Sequence, residues 1–142
     1  MHAPHLARQI FAAALAACCL AWSQAASAQL DYTRRAVDVR AGPDDAFPQV
    51  ARLSNGSNVH VFGCAEAAGR RWCDVLSGRA RGWVPQNDLS QSARVRNAPT
   101  VTFSVAEYWD AHYRSRRWFA SLDRWKGWGT PGFVPPAATP GT

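Results

Sequence analysis

Apolar and polar residues alternate in short runs through the first half of the chain. Val37 and Val39 alternate with Asp38 and Arg40 ahead of Ala41-Gly42-Pro43, Val50 and Leu53 precede Asn55-Gly56, and Val59 and Val61 flank His60. Trp72 to Leu76 make a fourth run that turns at Ser77-Gly78, and Gly82-Trp83-Val84 a fifth that ends at Pro85. A period of two, cut by turn residues at close spacing, predicts half-buried strands rather than helices. The expectation is a mostly β unit of five short strands, a small barrel or sandwich. Val37, Val39, Val50, Val59, Val61, Val75 and Val84 would supply most of its core.

The pattern changes after Leu89. Ser90 to Asn97 is polar and Arg-bearing, and reads as a linker or a late strand. Phe103-Ser104-Val105-Ala106-Glu107-Tyr108 then gives a helix start: Ser104 as N-cap, Glu107 closing a capping box, and Phe103 with Tyr108 as a hydrophobic staple. On a 3.6-residue wheel Val105, Tyr108, Trp109, His112 and Tyr113 share one face, while Trp118, Leu122 and Trp125 fall roughly opposite. One straight helix would carry aromatics on two sides, so a bend is expected within Arg114 to Arg117, with Gly127 and Gly129 ending the second segment. From Gly129 to Thr142 the Pro, Gly, Ala and Thr content predicts a disordered end.

The beginning of the chain has a different character. Arg8 precedes an apolar run of 13 residues, Ile10 to Trp22, too short to span a bilayer and without a polar face. Ala26-Ser27-Ala28 follows as a small-residue site, so the reading is a secretory signal over 1–28, cleaved before Gln29. Leu15-Ala16-Ala17-Cys18 competes as a lipoprotein processing site that would lipidate Cys18. The soluble, periplasmic or secreted form fits better, because the apolar run continues past Cys18. Losing Cys18 and Cys19 with the signal leaves Cys64 and Cys73, and an isolated pair in an oxidising compartment reads as one disulfide. Strict alternation turns Cys73 inward with Val75 but sets Cys64 opposite to Val61; a bulge near Gly63 would reconcile the two.

"VDVRAGP", "FPQVARLSNGSNVHV", "RRWCDV" and "ARGWVPQNDL", in that order, resemble the bacterial SH3-type domain of exported and cell-wall proteins. The resemblance spans Thr33 to about Gln91, and implies a compact five-stranded SH3-like β-barrel that recognises cell-wall peptides or envelope proteins. Asp38 stands where the family usually has Asn, and Asn87-Asp88 replaces a more usual Ser-Tyr before Leu89. The run "EYWDAHYRSRRWFASLDRW" is similar to the aromatic, Arg-rich tail that follows this domain in some proteobacterial exported proteins. The resulting division is a signal over 1–28, the SH3-type domain over 29–92, a linker with an α-helical appendage over 93–128, and the tail over 129–142.

Candidate chemistry is sparse. No Ser, Cys or Thr sits in a nucleophile context, and both remaining cysteines have a use in a disulfide, so no catalytic residue is expected. Two Cys with distant His60 and His112 do not make a closed metal pattern, and no cofactor is implied. Asp44 and Asp45 are explained by turn capping. Trp83 either packs the barrel or floors a peptide groove, and Trp72 poses the same alternatives. If a groove exists, its lining would come from Arg40, Gly42, Pro43, Trp72 and Trp83, with Tyr108, Trp109 and Tyr113 as a second wall.

Charge sharpens the picture of partners. Arg94 to Lys126 holds seven bases against three acids, whereas Gln29 to Gln91 holds eight against seven. The basic excess therefore lies beside the tail's aromatics. It could meet an anionic membrane surface or a second copy of the chain, or the aromatics could pack back on the barrel. Export disfavours nucleic acid as a partner. The leading expectation is a non-enzymatic envelope binding or adaptor module, and the alternative is a structural or oligomerising envelope protein.

Overall fold

The computed structural model describes residues 30–137; the expected signal sequence, the Cys18 processing site and the last residues, 138–142, lie outside them. Six strands form: β1 (Asp31–Tyr32), β2 (Val37–Arg40), β3 (Gln49–Leu53), β4 (Asn58–Ala67), β5 (Arg70–Ser77) and β6 (Ala80–Pro85). They make one antiparallel sheet in the order β1-β4-β5-β6-β2-β3. This corrects the expectation in two respects: there are six strands rather than five, and the sheet is open rather than a closed barrel. β1 escaped the pattern because two residues cannot show a period.

No ladder joins β3 to β4, although they are consecutive. Thr33, fully buried, ties their connection to the end of β1: its hydroxyl donates to the Ser54 carbonyl at 2.7 Å and accepts from the Ser57 amide at 3.0 Å. Thr33 and Leu89 form a further bridge, so the end of β1 also meets the chain just past β6.

One face of the sheet carries the expected core. Val37, Val39, Val50, Val59, Val75 and Val84 are buried there, while Val61 is half-buried. Cys64 and Cys73 lie directly opposite each other in the β4–β5 register and form the disulfide. What lets both point inward is a register shift between Val61 and Gly63, which leaves Phe62 unpaired and flips the alternation. The same shift accounts for Phe62 standing 37% exposed in the middle of a long strand.

The other face of β4–β6 is also covered. Ala65, Trp72 and Trp83 are buried there beneath Val101, Phe103 and Tyr108. The covering segment is held by backbone bonds across β4, from the Cys64 amide to the Pro99 carbonyl at 2.8 Å and from the Val101 amide to the Cys64 carbonyl at 2.9 Å. Gly63 permits that crossing, because a Cβ there would lie 2.4 Å from Val101 Cγ1 and 2.9 Å from the Pro99 oxygen.

Between sheet and cover the chain makes a one-turn helix, α1 (Ala93–Arg96), where a linker or strand was expected. Its cap is Ser92, whose hydroxyl accepts from the Val95 amide at 3.2 Å and donates to buried Asp31 at 2.7 Å. Val95 is fully buried and joins the main core, which is why this polar stretch is ordered.

The expected helix begins where the capping residues place it, as α2 (Val105–His112). Ser104 accepts from the Glu107 amide, and the Phe103 and Tyr108 rings sit 5.5 Å apart. It ends at Tyr113, and the chain turns through Arg114 to Arg116 before a 3-10 turn (Arg117–Ser121) and α3 (Leu122–Trp125). That bend brings the two aromatic faces onto one core: Trp118 packs 4.7 Å from Trp109 and 5.0 Å from Tyr113, and Trp125 stacks on Phe47 at 4.4 Å. Residues 129–137, expected to be disordered, turn back at Gly129 and Gly132 and set Phe133 5.9 Å from Trp125. An aromatic in an otherwise small-residue segment gives it something to bury.

Candidate functional site

Sheet and appendage are joined by a buried charge. Asp74 on β5 receives Arg81 Nε on Oδ1 at 2.8 Å and Arg81 Nη2 on Oδ2 at 2.7 Å, while the Tyr108 hydroxyl donates to Oδ1 at 2.6 Å. Three donors on one carboxylate supply what a charge removed from water requires. Burial, with the neighbouring Tyr113 and Asp74, holds the Tyr108 phenol far above its ordinary range, so it stays a donor. The hydrogen bond to Asp74 likewise raises Arg81 despite its partial burial. Outside this pair Arg81 lies over the Phe62 ring at 3.5 Å, and His60 meets Phe62 edge-on at 4.4 Å. Tyr113 completes the junction by donating to the Arg81 carbonyl at 2.6 Å.

The groove lining expected from sequence is corrected by burial. Gly42, Pro43, Trp72, Trp83, Trp109 and Tyr113 are all buried, and only Arg40 and Tyr108 are partly exposed. Trp72 and Trp83 lie between the sheet and its cover, where the appendage occupies the surface a ligand would have used. Trp109 donates its indole N–H to the Ala41 carbonyl at 2.9 Å, so the Arg40 to Pro43 loop is where α2 docks. Gly42 serves the same packing: a Cβ there would lie 2.5 Å from the Phe47 ring. Arg40 itself donates to the Phe47 carbonyl at 3.3 Å and pairs with Asp38 at 3.2 Å.

Open space lies instead on the far side of that loop. A cleft of about 310 Å³ runs between Phe47, Pro48 and Gln49 on the sheet side and Trp118, Ser121, Arg124 and Trp125 on the appendage, with Arg40 and Asp45 also on its wall. The Phe47 and Trp125 rings stack on each other and are buried behind its wall, while Arg40 and Arg124 bring two guanidinium groups to it. Sequence reasoning missed this site because its halves come from a loop without periodicity and from the second aromatic segment. The available signal was Phe47-Pro48, an aromatic and a proline set into a loop of acids and small residues. Among the described residues no three His, Cys, Asp or Glu side chains lie together as a metal-binding set.

The architecture is a small antiparallel sheet with buried valines on one face, short turns and a cleft at its side. Residues 35–90 match the family model described as the bacterial SH3 domain, so the chain carries a bacterial SH3 domain over those residues. Domains of this family are cell-wall-binding or protein-interaction modules and generally not catalysts. No curated protein and no solved structure matches the chain. The helical appendage that forms half of the cleft lies beyond the matched residues.

Proposed function

We propose that the protein is a non-enzymatic binding or adaptor module of the cell envelope, exported by its first 28 residues, that recognises a wall peptide or an envelope protein in the cleft between Phe47–Gln49 and Trp118–Trp125. The observation that carries this reading is the cleft itself: a concave site beside the sheet with the accessible side chains of Arg40, Gln49, Ser121 and Arg124 on its wall. The bacterial SH3 domain it is built on supports the same role. Co-sedimentation of residues 29–142 with purified peptidoglycan sacculi, beside a Gln49→Trp variant, tests it. Gln49 is exposed at the cleft, so the indole should fill the site without disturbing the core. Pelleting of the native chain that the variant loses supports the wall reading. Equal pelleting of both means that the cleft is not the binding site.

One observation favours a second reading. Arg114, Arg116 and Arg117 are all exposed at the bend, as a peripheral contact with an anionic membrane would use them. The tail's indoles are turned inward, so such a contact would be electrostatic and lost at high salt.

A further inference from the structure

We propose that the cleft takes a short peptide through a free carboxylate read by Arg124 and Arg40, an inference that rests on the binding role assigned above. The charge distribution carries it. Eight of the ten carboxylates in the chain are held in ion pairs. Arg96, Arg116, Arg117 and Arg124 on the appendage, and Arg34 and Arg79 on the sheet side, form no such pair among the described residues, so the larger share of unmatched positive charge lies on the appendage. At the cleft, Asp45 is matched by Arg70 at 3.0 Å, and Asp38 is held between Arg40 at 3.2 Å and Arg52 at 2.7 Å. The neighbourhood is thus left with an excess of guanidinium groups over carboxylates.

Geometry restricts the ligand further. Arg40 is already fixed against the loop by its bond to the Phe47 carbonyl, so it meets a ligand with little conformational entropy left to lose. A site of about 310 Å³ is at the small end for ligand pockets and suits a chain end with one or two side chains. Half-buried Pro48 and Pro136 offer apolar surface for the residue next to the carboxylate. A carboxylate engages guanidinium donors in charge-assisted pairs, whereas a cation would be repelled and a neutral group would forgo the stronger bonds.

The test is a titration of residues 29–142 with N-acetyl-alanyl-alanine and, separately, with its C-terminal amide, read by the indole N–H signals of Trp118 and Trp125. The free acid should bind about tenfold tighter than the amide, and the contrast should shrink at high salt. Arg124 is exposed, so Arg124→Gln should keep the fold while weakening the acid about tenfold and leaving the amide unchanged. Equal binding of acid and amide, an Arg124→Gln chain that binds the acid as the native one does, or no response to either peptide overturns the carboxylate inference. A Gln49→Trp effect on sacculi would survive any of those results, so failure here is distinct from failure of the binding role. Given acid-selective binding, sacculi stripped of their stem peptides by an amidase distinguish the source. Pelleting lost on stripping assigns the carboxylate to wall peptide, and indifference to stripping assigns it to the end of a protein partner; both outcomes uphold the inference.

Discussion

Strands β2 to β6 and the segment 93–133 bury their side chains by different logics. In the strands, valines enter the core at every second residue and each contributes a small, stiff piece of surface. In the appendage, Trp109, Tyr113, Trp118 and Trp125 come from separate turns of chain, and the indole and phenol groups at its docking points are anchored by polar bonds to Ala41, Asp74 and Arg81. The first region is a family domain and the second lies outside the family model, yet Val95, Trp109, Tyr113, Trp118 and Trp125 belong to the same buried cluster as Val39 and Val75. Recognisable sequence and cooperative core therefore do not end at the same residue. The appendage acts as a second layer on the sheet, covering Trp72 and Trp83.

The sharpest way to break this comparison is Trp109→Ala. Trp109 is fully buried and hydrogen-bonded to Ala41, so its loss should cost about 3–5 kcal/mol. Urea denaturation followed both by tryptophan fluorescence and by far-UV circular dichroism should show one shifted transition; a sheet that melts as before while the appendage is lost would separate the two layers. Next comes the disulfide. Its partners are nine residues apart, and for a loop of that size reduction should remove about 2–3 kcal/mol, measured as the fall in urea midpoint with and without reductant.

Tyr108→Phe addresses the junction alone. It deletes one donor to buried Asp74 and keeps Arg81 in place, so the expected cost is about 1–2 kcal/mol in the same denaturation experiment. Replacing Arg81 instead should cost more than Tyr108→Phe, because it leaves the buried carboxylate without its charge partner.

The smallest effect belongs to His112. Partial burial, then the charge of Arg81, holds its imidazole below the ordinary 6.5. A depressed histidine favours the folded state most when neutral, so this contribution is present above the unfolded value and is lost as pH falls through the lower folded one. Melting temperature should drop slightly more steeply between neutral and mildly acidic pH in the native chain than in His112→Gln. Parallel curves would show that the imidazole senses neither burial nor Arg81.

How much of this was legible depended on how local each signal was. The valines announced strands because alternation is written in adjacent residues, and Ser104 announced α2 because a cap and its staple span a single turn. The bulge was legible from the conflict between Cys64 and Cys73. The bend at Arg114 to Arg116 was legible because Trp109 and Trp118 could not share a face of one helix. The site was not, for a physical reason: exposure is a property of what packs on a residue from elsewhere. Trp72 and Trp83 look like groove aromatics until Phe103 and Tyr108 lie over them. Gln49 and Arg124, which line the cleft together, are distant in sequence and carry no shared pattern.

The open sheet has a consequence for self-association. A sheet with free edges offers unpaired amides and carbonyls to any strand that approaches, which is the geometry from which fibrils propagate. Here one edge is β1, only two residues long, and the other is β3, entered from Pro48 and carrying Arg52 in its pair with Asp38. Neither edge gives an incoming strand a long, uncharged ladder to extend. A molecule built this way can stay dispersed at high local concentration without the closure that a full barrel would have provided.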